Sequence, residues 1–103
     1  MQFRGLNGEI VLENDEILIK RSSRLDKTFH DEEIIIVPLT ELENVEVVYG
    51  SVTNGYISLI IRNQKYKSGL LHAMKDKYSV IFRVFNNSKA EEMVKYILKQ
   101  IEN

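Results

Sequence analysis

Hydrophobic and polar residues alternate in short runs along most of the chain, and polar turns separate the runs. The first two runs cover residues 9–13 and 16–21 and flank the turn pair Asn14-Asp15. Two β-rich runs on either side of a short polar turn predict a β-hairpin. A polar loop over residues 22–33 then leads to an apolar run at residues 34–37.

The middle of the chain predicts further strands. Residues 34–37 form the third, and Pro38 should end it or place it at a sheet edge, because proline has no N–H to donate. Residues 39–42 predict a tight connection whose leucines lie under the sheet. Four more strands are expected at residues 45–49, 56–62, 65–71 and 78–85, the third of these being the weakest.

The C-terminal segment has a different period. Ser88 with Glu91 three residues later predicts a capping box at the start of a helix. The apolar residues that follow have the i, i+3, i+4, i+7 spacing of an amphipathic helix: Ala90, Met93, Val94, Ile97, Leu98 and Ile101. This helix must bury its apolar stripe against the strands.

The order of these elements predicts the fold class. Consecutive strands joined by short turns form antiparallel meanders, and one helix at the end can cap them. We therefore expect a single domain over residues 1–103 that is mainly β, with a seven-stranded curved sheet or partly open barrel capped by a C-terminal α-helix.

This order of elements resembles the pleckstrin-homology (PH)-like superfold. The resemblance rests on the first hairpin, on Ile36-Val37-Pro38-Leu39, on Asn54-Gly55-Tyr56-Ile57, and on the Val80-Ile81-Phe82 strand before the terminal helix. Within the superfold, the chain is similar to bacterial PH-like domains of unknown function, the DUF4429 group, over roughly residues 6–101.

PH-like domains commonly bind phosphoinositide headgroups, peptides or proteins, so the resemblance implies a non-catalytic interaction module. Lipid-binding members place basic residues on the first two strands and their loop. Here that loop is Asn14-Asp15 between Glu13 and Glu16, which would repel a phosphate, so phosphoinositide binding is not expected at this loop.

Composition narrows the function classes. The 103 residues carry 14 basic and 15 acidic side chains, and the net charge of −1 argues against a dedicated duplex-DNA binder. There is no Cys, which excludes a disulfide and a thiolate nucleophile. The longest apolar run is four residues, far below the ~18–20 of a membrane-spanning helix, so we expect a cytoplasmic protein.

Two basic clusters are candidate sites. Four cations lie within eight residues at Lys20, Arg21, Arg24 and Lys27 and could hold a membrane surface or an anionic ligand. Nearby carboxylates would weaken that field, and a solvated loop with local ion pairs explains the same pattern. The second cluster interleaves tyrosines with cations: Arg62, Lys65, Tyr66, Lys67, Lys75, Lys77 and Tyr78.

The second cluster has two interpretations. Aromatic and basic residues together can bind single-stranded nucleic acid. Charged hairpin edges that discourage edge-to-edge pairing are the other explanation. The two histidines, His30 and His72, are 42 positions apart and show no metal spacing, and no serine has a base beside it in sequence. We therefore expect no enzyme activity, no cofactor and no metal.

Several predicted strands are apolar on both faces. Adjacent apolar pairs occur at Ile10-Val11, Ile17-Leu18, Ile34-Ile35, Ile60-Ile61 and Ile81-Phe82. A sheet with one face in water would normally alternate, so the second face is either covered by the helix or a loop, or it meets another chain. The predicted function is accordingly binding of a protein partner or homo-oligomerisation, and the alternative is the anionic-ligand module at residues 20–27.

Overall fold

The computed structural model describes residues 1–22 and 32–102, and there the chain forms two antiparallel sheets and two α-helices. The first sheet has the order β1-β2-β3-β4, with β1 at Gln2–Arg4, β2 at Gly8–Glu13, β3 at Glu16–Ser22 and β4 at Glu32–Pro38. The second sheet has the order β5-β6-β7, with β5 at Leu42–Val48, β6 at Gly55–Ile61 and β7 at Ser79–Phe82.

Two α-helices complete the fold. Helix α1 spans Leu70–Lys75 between β6 and β7, and helix α2 spans Asn87–Ile101 at the C-terminal end. Short 3-10 helices precede β5, at Leu39–Glu41, and α2, at Val84–Asn86. The expected class is confirmed: the fold is mainly β, all strand pairs are antiparallel, and one helix follows the last strand.

The hydrophobic core lies between the inner faces of the two sheets and α2. Ile10, Ile17 and Ile19 of the first sheet are fully buried there, as are Ile57 and Val80 of the second. From α2 the core receives the predicted stripe, with Ala90, Met93, Val94 and Ile97 buried and Leu98 and Ile101 packed against it. Complete burial of one such aliphatic side chain contributes about 1.5–3 kcal/mol, so the helix is fixed to both sheets.

A close backbone approach joins the sheets at one corner. The Leu6 amide donates to the carbonyl oxygen of Ile81 in β7 at 2.8 Å, and the Ile81 amide donates to Oδ1 of Asn7 at 3.0 Å. Gly5 lies beside them, and a Cβ there would collide with the Ile81 carbonyl. Glycine is required at this position because the backbones touch. Among the described residues no strand of one sheet pairs with a strand of the other, so the two sheets do not close into a barrel, and these two bonds connect them at this corner.

The first hairpin is confirmed. Residues 8–13 pair with residues 16–21, and Asn14 in the turn has φ of 53°, a conformation that asparagine tolerates. The third predicted strand also forms and ends at Pro38 on the outer strand of the sheet. The strand predicted at residues 56–62 forms as β6, and its residues Ile57, Leu59 and Ile61 lie in the core, with exposures of 0%, 2% and 7%.

Three predictions are wrong. Residues 65–71 do not form a strand, because residues 65–69 are loop and Leu70 begins α1. The last strand ends at Phe82 rather than at residue 85, where the chain turns into the 3-10 helix. The capping box is absent, since α2 begins two residues earlier than predicted, with Asn86 rather than Ser88 at the N-cap and no side-chain cap bond.

Strand β1 was not predicted. It has only three residues, and of these only Phe3 is buried, where its ring meets the edge of the Phe82 ring at a centroid distance of 5.4 Å. So short a strand has too little periodicity to stand out in a sequence. It forms because residues 2–4 pair with β2 and Phe3 fills the core between the sheets.

Candidate functional site

A carboxylate on the outer face of the second sheet organises the loop after β6. Oε1 of Glu46 accepts hydrogen bonds from the hydroxyls of Tyr56 at 2.7 Å, Tyr66 at 2.8 Å and Ser68 at 2.6 Å. The Gly69 amide donates to the Tyr56 oxygen at 3.0 Å. Residues 66–69 are thereby fixed to β5 and β6 just before α1 begins.

The hydrogen bonds shift two pKa values. Burial raises the pKa of Glu46, but the hydroxyls of Ser68, Tyr56 and Tyr66 stabilise the charged form and hold it below the usual value. Burial raises the pKa of Tyr66 to about 12, and the negative charge of Glu46 acts in the same direction. The hydroxyls therefore hold the Glu46 carboxyl group in its charged form.

A second polar chain connects the outer face of the same sheet to the residue after α1. Ser79 donates its hydroxyl proton to Oδ2 of Asp76 at 2.6 Å. The Ser58 and Ser79 oxygens are 2.7 Å apart, so Ser58 donates to Ser79, whose only proton is already used. Both serines are buried, with exposures of 1% and 0%, and these hydrogen bonds give each hydroxyl an acceptor.

A cleft of about 220 Å³ lies beside Tyr66 and Asp76, one residue from each of these two hydrogen-bond networks. It is lined by Leu59 and Ile61 of β6 and by residues of the loop, of α1 and of the turn before β7: Gln64, Lys65, Tyr66, His72, Asp76, Lys77 and Tyr78. The rings of Tyr66 and His72 meet edge to face with centroids 6.4 Å apart. Lys77 places its Nζ 5.1 Å from the centroid of the Tyr78 ring, a cation–π contact.

The cleft unites much of the second basic cluster. Lys65, Tyr66, Lys77 and Tyr78 all line it although up to 13 positions separate them in sequence. The expectation that these residues lie on hairpin edges is wrong for residues 65–77, which are loop and helix. Helix α1 carries the chain around the cleft, and His72, half-buried on that helix, becomes part of the wall.

The first basic cluster is described only in part. Lys20 and Arg21 lie near the end of β3, opposite Glu9 and Gly8 of β2. Arg24 and Lys27 lie outside the described residues. Arg21 reaches across to the end of α1, where Nη1 donates to the carbonyl oxygen of Asp76 and Nη2 donates to that of Met74 at 3.4 Å.

The contact of Arg21 gives it a structural role in addition to its charge. It satisfies carbonyls at the C-terminal end of α1, where helix carbonyls lack an intrahelical partner. Arg21 of the first basic cluster therefore contacts the backbone of Asp76, which lines the cleft beside Lys77 of the second cluster.

The outer edge of the first sheet is a second candidate surface. Strand β4 is the last strand of its sheet, and no other described strand pairs with its far side. Ile34 and Ile36 point away from the core and are 52% and 56% exposed. The other four doubly apolar pairs keep both members buried or half-buried. The outer face of β4 is therefore exposed in the described residues, and the explanation that such a face meets another chain stays a prediction.

Sequence reasoning missed Glu46, Ser58, Ser79 and Asp76 as organising residues. The available signal was that Glu46 and Ser58 stand alone among apolar residues in runs predicted to be strands. A polar residue in such a run has to find a partner when it is covered. Which partner it finds depends on the path of residues 62–78, which spacing did not reveal.

Two further observations concern the described part of the chain. In residues 1–22 and 32–102, no three His, Asp or Glu side chains are grouped as metal ligands would be. None of the helices there is long and apolar enough to cross a lipid bilayer. In comparisons with known proteins, no family model, no curated protein and no solved structure matches this chain.

Proposed function

We propose that this chain is a non-catalytic PH-like interaction module of the cytoplasm that associates with a second copy of itself through strand β4. The observation that carries the proposal is the free edge of β4 among the described residues, together with Ile34 and Ile36 exposed beside it. An unpaired strand with apolar flanks is the surface used for strand addition. The PH-like part is supported by the order of a four-stranded sheet, a three-stranded sheet and a C-terminal helix.

The sequence of β4 is complementary to itself. In an antiparallel pair centred on Ile35, Ile34 lies opposite the partner's Ile36, and the two residues share the outer face. Glu33 lies opposite the partner's Val37, so that no carboxylate faces another. If the antiparallel pair were centred on Ile34 instead, Glu33 would lie opposite the partner's Ile35, and Ile34 would no longer lie opposite Ile36.

Two-fold symmetry also limits the assembly. The same patch serves both copies, so pairing uses the edge of each and closes as a dimer. Pro38 ends the pairing at one side because it cannot donate a hydrogen bond. The product is two first sheets joined into one, with four isoleucines on its outer face.

The test measures molar mass in solution by light scattering over a range of protein concentrations. We expect the mass to rise from the monomer value of 12.0 kDa to twice that value. The variant Ile36→Lys should weaken dimerisation roughly 100-fold, because symmetry places the charge in the interface twice. The control Val52→Lys changes a fully exposed residue between β5 and β6 and should leave the dimer unchanged.

A disulfide experiment tests the register. The chain has no Cys, so cysteines introduced at Ile34 and Ile36 react only with each other. Opposed residues in antiparallel strands are about 4.5–5.5 Å apart between Cα atoms, within disulfide range, whereas diagonal neighbours are not. A mixture of Ile34→Cys and Ile36→Cys should cross-link far faster than either alone. A monomer at every concentration, or a dimer indifferent to Ile36→Lys, would overturn the proposal.

A further inference from the structure

The charge of the chain is distributed very unevenly. Residues 62–78 hold five of the 14 basic side chains and one of the 15 acidic ones, a net charge of +4. The remainder holds nine basic and 14 acidic side chains, a net charge of −5. The basic residues of this segment are Arg62, Lys65, Lys67, Lys75 and Lys77, and all are exposed. A basic segment on an acidic molecule attracts anions to one place.

The cleft described above lies inside this basic segment. Lys65 and Lys77 line it, and its single carboxylate, Asp76, already accepts the Ser79 proton. Arg21 adds a further cation at the Asp76 carbonyl. Two cations and one carboxylate therefore line the cleft, which gives its lining a net charge of +1 and makes Lys65 and Lys77 the candidate contacts for a bound anion.

The walls of the cleft favour a flat ring. Three aromatic side chains line the cleft together with the apolar Leu59 and Ile61: Tyr66, His72 and Tyr78. Tyr66 is held in place by its hydrogen bond to Glu46, so this wall is formed before a ligand arrives. Stacking of a base on an aromatic side chain contributes about 1–3 kcal/mol.

From these features we propose that the cleft binds a planar ring joined to a phosphate, the chemistry of a nucleotide. Its volume of about 220 Å³ lies below the ~300–1,000 Å³ of sites for drug-sized ligands, which suits a single small ring with the phosphate at the lysine rim. The ring and phosphate could belong to a free nucleotide or to a single-stranded nucleic acid. The site is independent of the β4 edge, which lies in the other sheet.

The experiment follows amide chemical shifts of the intact protein by NMR during titration with uridine monophosphate. We expect shifts at the cleft residues, and at least tenfold weaker binding of uridine and of inorganic phosphate, each of which lacks one half of the ligand. A thymidine oligonucleotide distinguishes the two sources. Tighter binding than uridine monophosphate, with shifts that extend to Arg62 and Lys67, identifies single-stranded nucleic acid; equal or weaker binding identifies the free nucleotide.

Matched variants locate the site. Lys65→Gln should weaken uridine monophosphate binding about threefold, whereas Lys89→Gln, the same charge change on α2, should not. Tyr78→Leu removes the ring while keeping an apolar side chain and should weaken binding about tenfold. The absence of cleft shifts at about 10 mM nucleotide, equal binding of inorganic phosphate, or equal effects of the two lysine variants would each overturn the proposal.

Discussion

The outer faces of the two sheets are treated in opposite ways. On the second sheet that face carries the polar residues Glu46, Ser58 and Ser79, and residues 62–78 cover it. On the first sheet the outermost strand carries Ile34 and Ile36 on that face, and both are exposed. The polar outer face of the second sheet is thus covered, while the apolar outer face of β4 is exposed. A half-buried sheet usually has the reverse arrangement.

Hydrogen bonding makes the covered polar face stable. Each hydroxyl there has an acceptor, and no buried side-chain polar atom in the described residues lacks a partner. Covering polar groups costs little when every one of them is paired. The exposed isoleucines have no such compensation, and this contrast is the reason for proposing an interface at β4.

The largest effect is expected at Ala73, the fully buried residue of α1, where a substitution tests whether this helix covers the outer face of the second sheet. Ala73→Leu inserts volume between α1 and the second sheet and should lower the free energy of unfolding by about 1–3 kcal/mol. Chemical denaturation measures the loss. The control Leu71→Ala, on the same helix but 80% exposed, should change stability by less than about 0.5 kcal/mol. Equal losses would show that α1 does not cover the sheet.

The charge of Glu46 should have a smaller effect that depends on pH. Glu46→Gln weakens three hydrogen bonds to a half-buried carboxylate and should cost about 1 kcal/mol near neutral pH. Because folding lowers the pKa of Glu46, its stabilisation is present above the unfolded value of 4.5 and is lost as pH falls through the folded value. We therefore expect the midpoint temperatures of thermal unfolding of wild type and Glu46→Gln to converge as the pH is lowered from neutral to acidic values.

A gap between wild type and Glu46→Gln that persists in acid would contradict the assigned role of the carboxylate. The matched variant Glu43→Gln alters an exposed glutamate of the same strand and should track wild type at every pH.

The smallest effect on folding is expected at the open edge. Ile36→Ala should change the free energy of unfolding of the monomer by no more than about 0.5 kcal/mol, because the side chain is already 56% exposed. Denaturation at a concentration below the dimer range measures it. A loss of about 2 kcal/mol or more, the cost of emptying a core position, would mean that the residue is covered in the monomer.

Local pattern predicted the parts of the fold that have a regular period. The first hairpin follows from two β-rich runs around the Asn14-Asp15 turn pair, and the stripe from Ala90 to Ile97 follows from helical spacing; both are confirmed. Residues 70–75 were misjudged because six residues are too short for either period to be decisive. Helix α2 begins earlier than predicted, and its first residue, Asn87, donates to and accepts from the backbone of Gly50, 37 positions away, a contact that spacing does not reveal.

The candidate surfaces were predictable only as groups of residues. Spacing identified the cations and tyrosines of residues 62–78, and it identified Ile34-Ile35 as apolar on both faces. It did not show that Arg21 meets Asp76, or that Glu46 holds Tyr66, because those contacts cross 55 and 20 positions.

By itself the sequence determined a mainly β chain with one terminal amphipathic helix, since alternation and helical spacing depend on neighbours a few residues apart. Only the tertiary structure decided which apolar face stays exposed and which polar face is covered. That choice depends on where residues 62–78 cross the second sheet and on whether each covered hydroxyl finds an acceptor there. Such pairings are made between distant parts of the chain and leave no period in it.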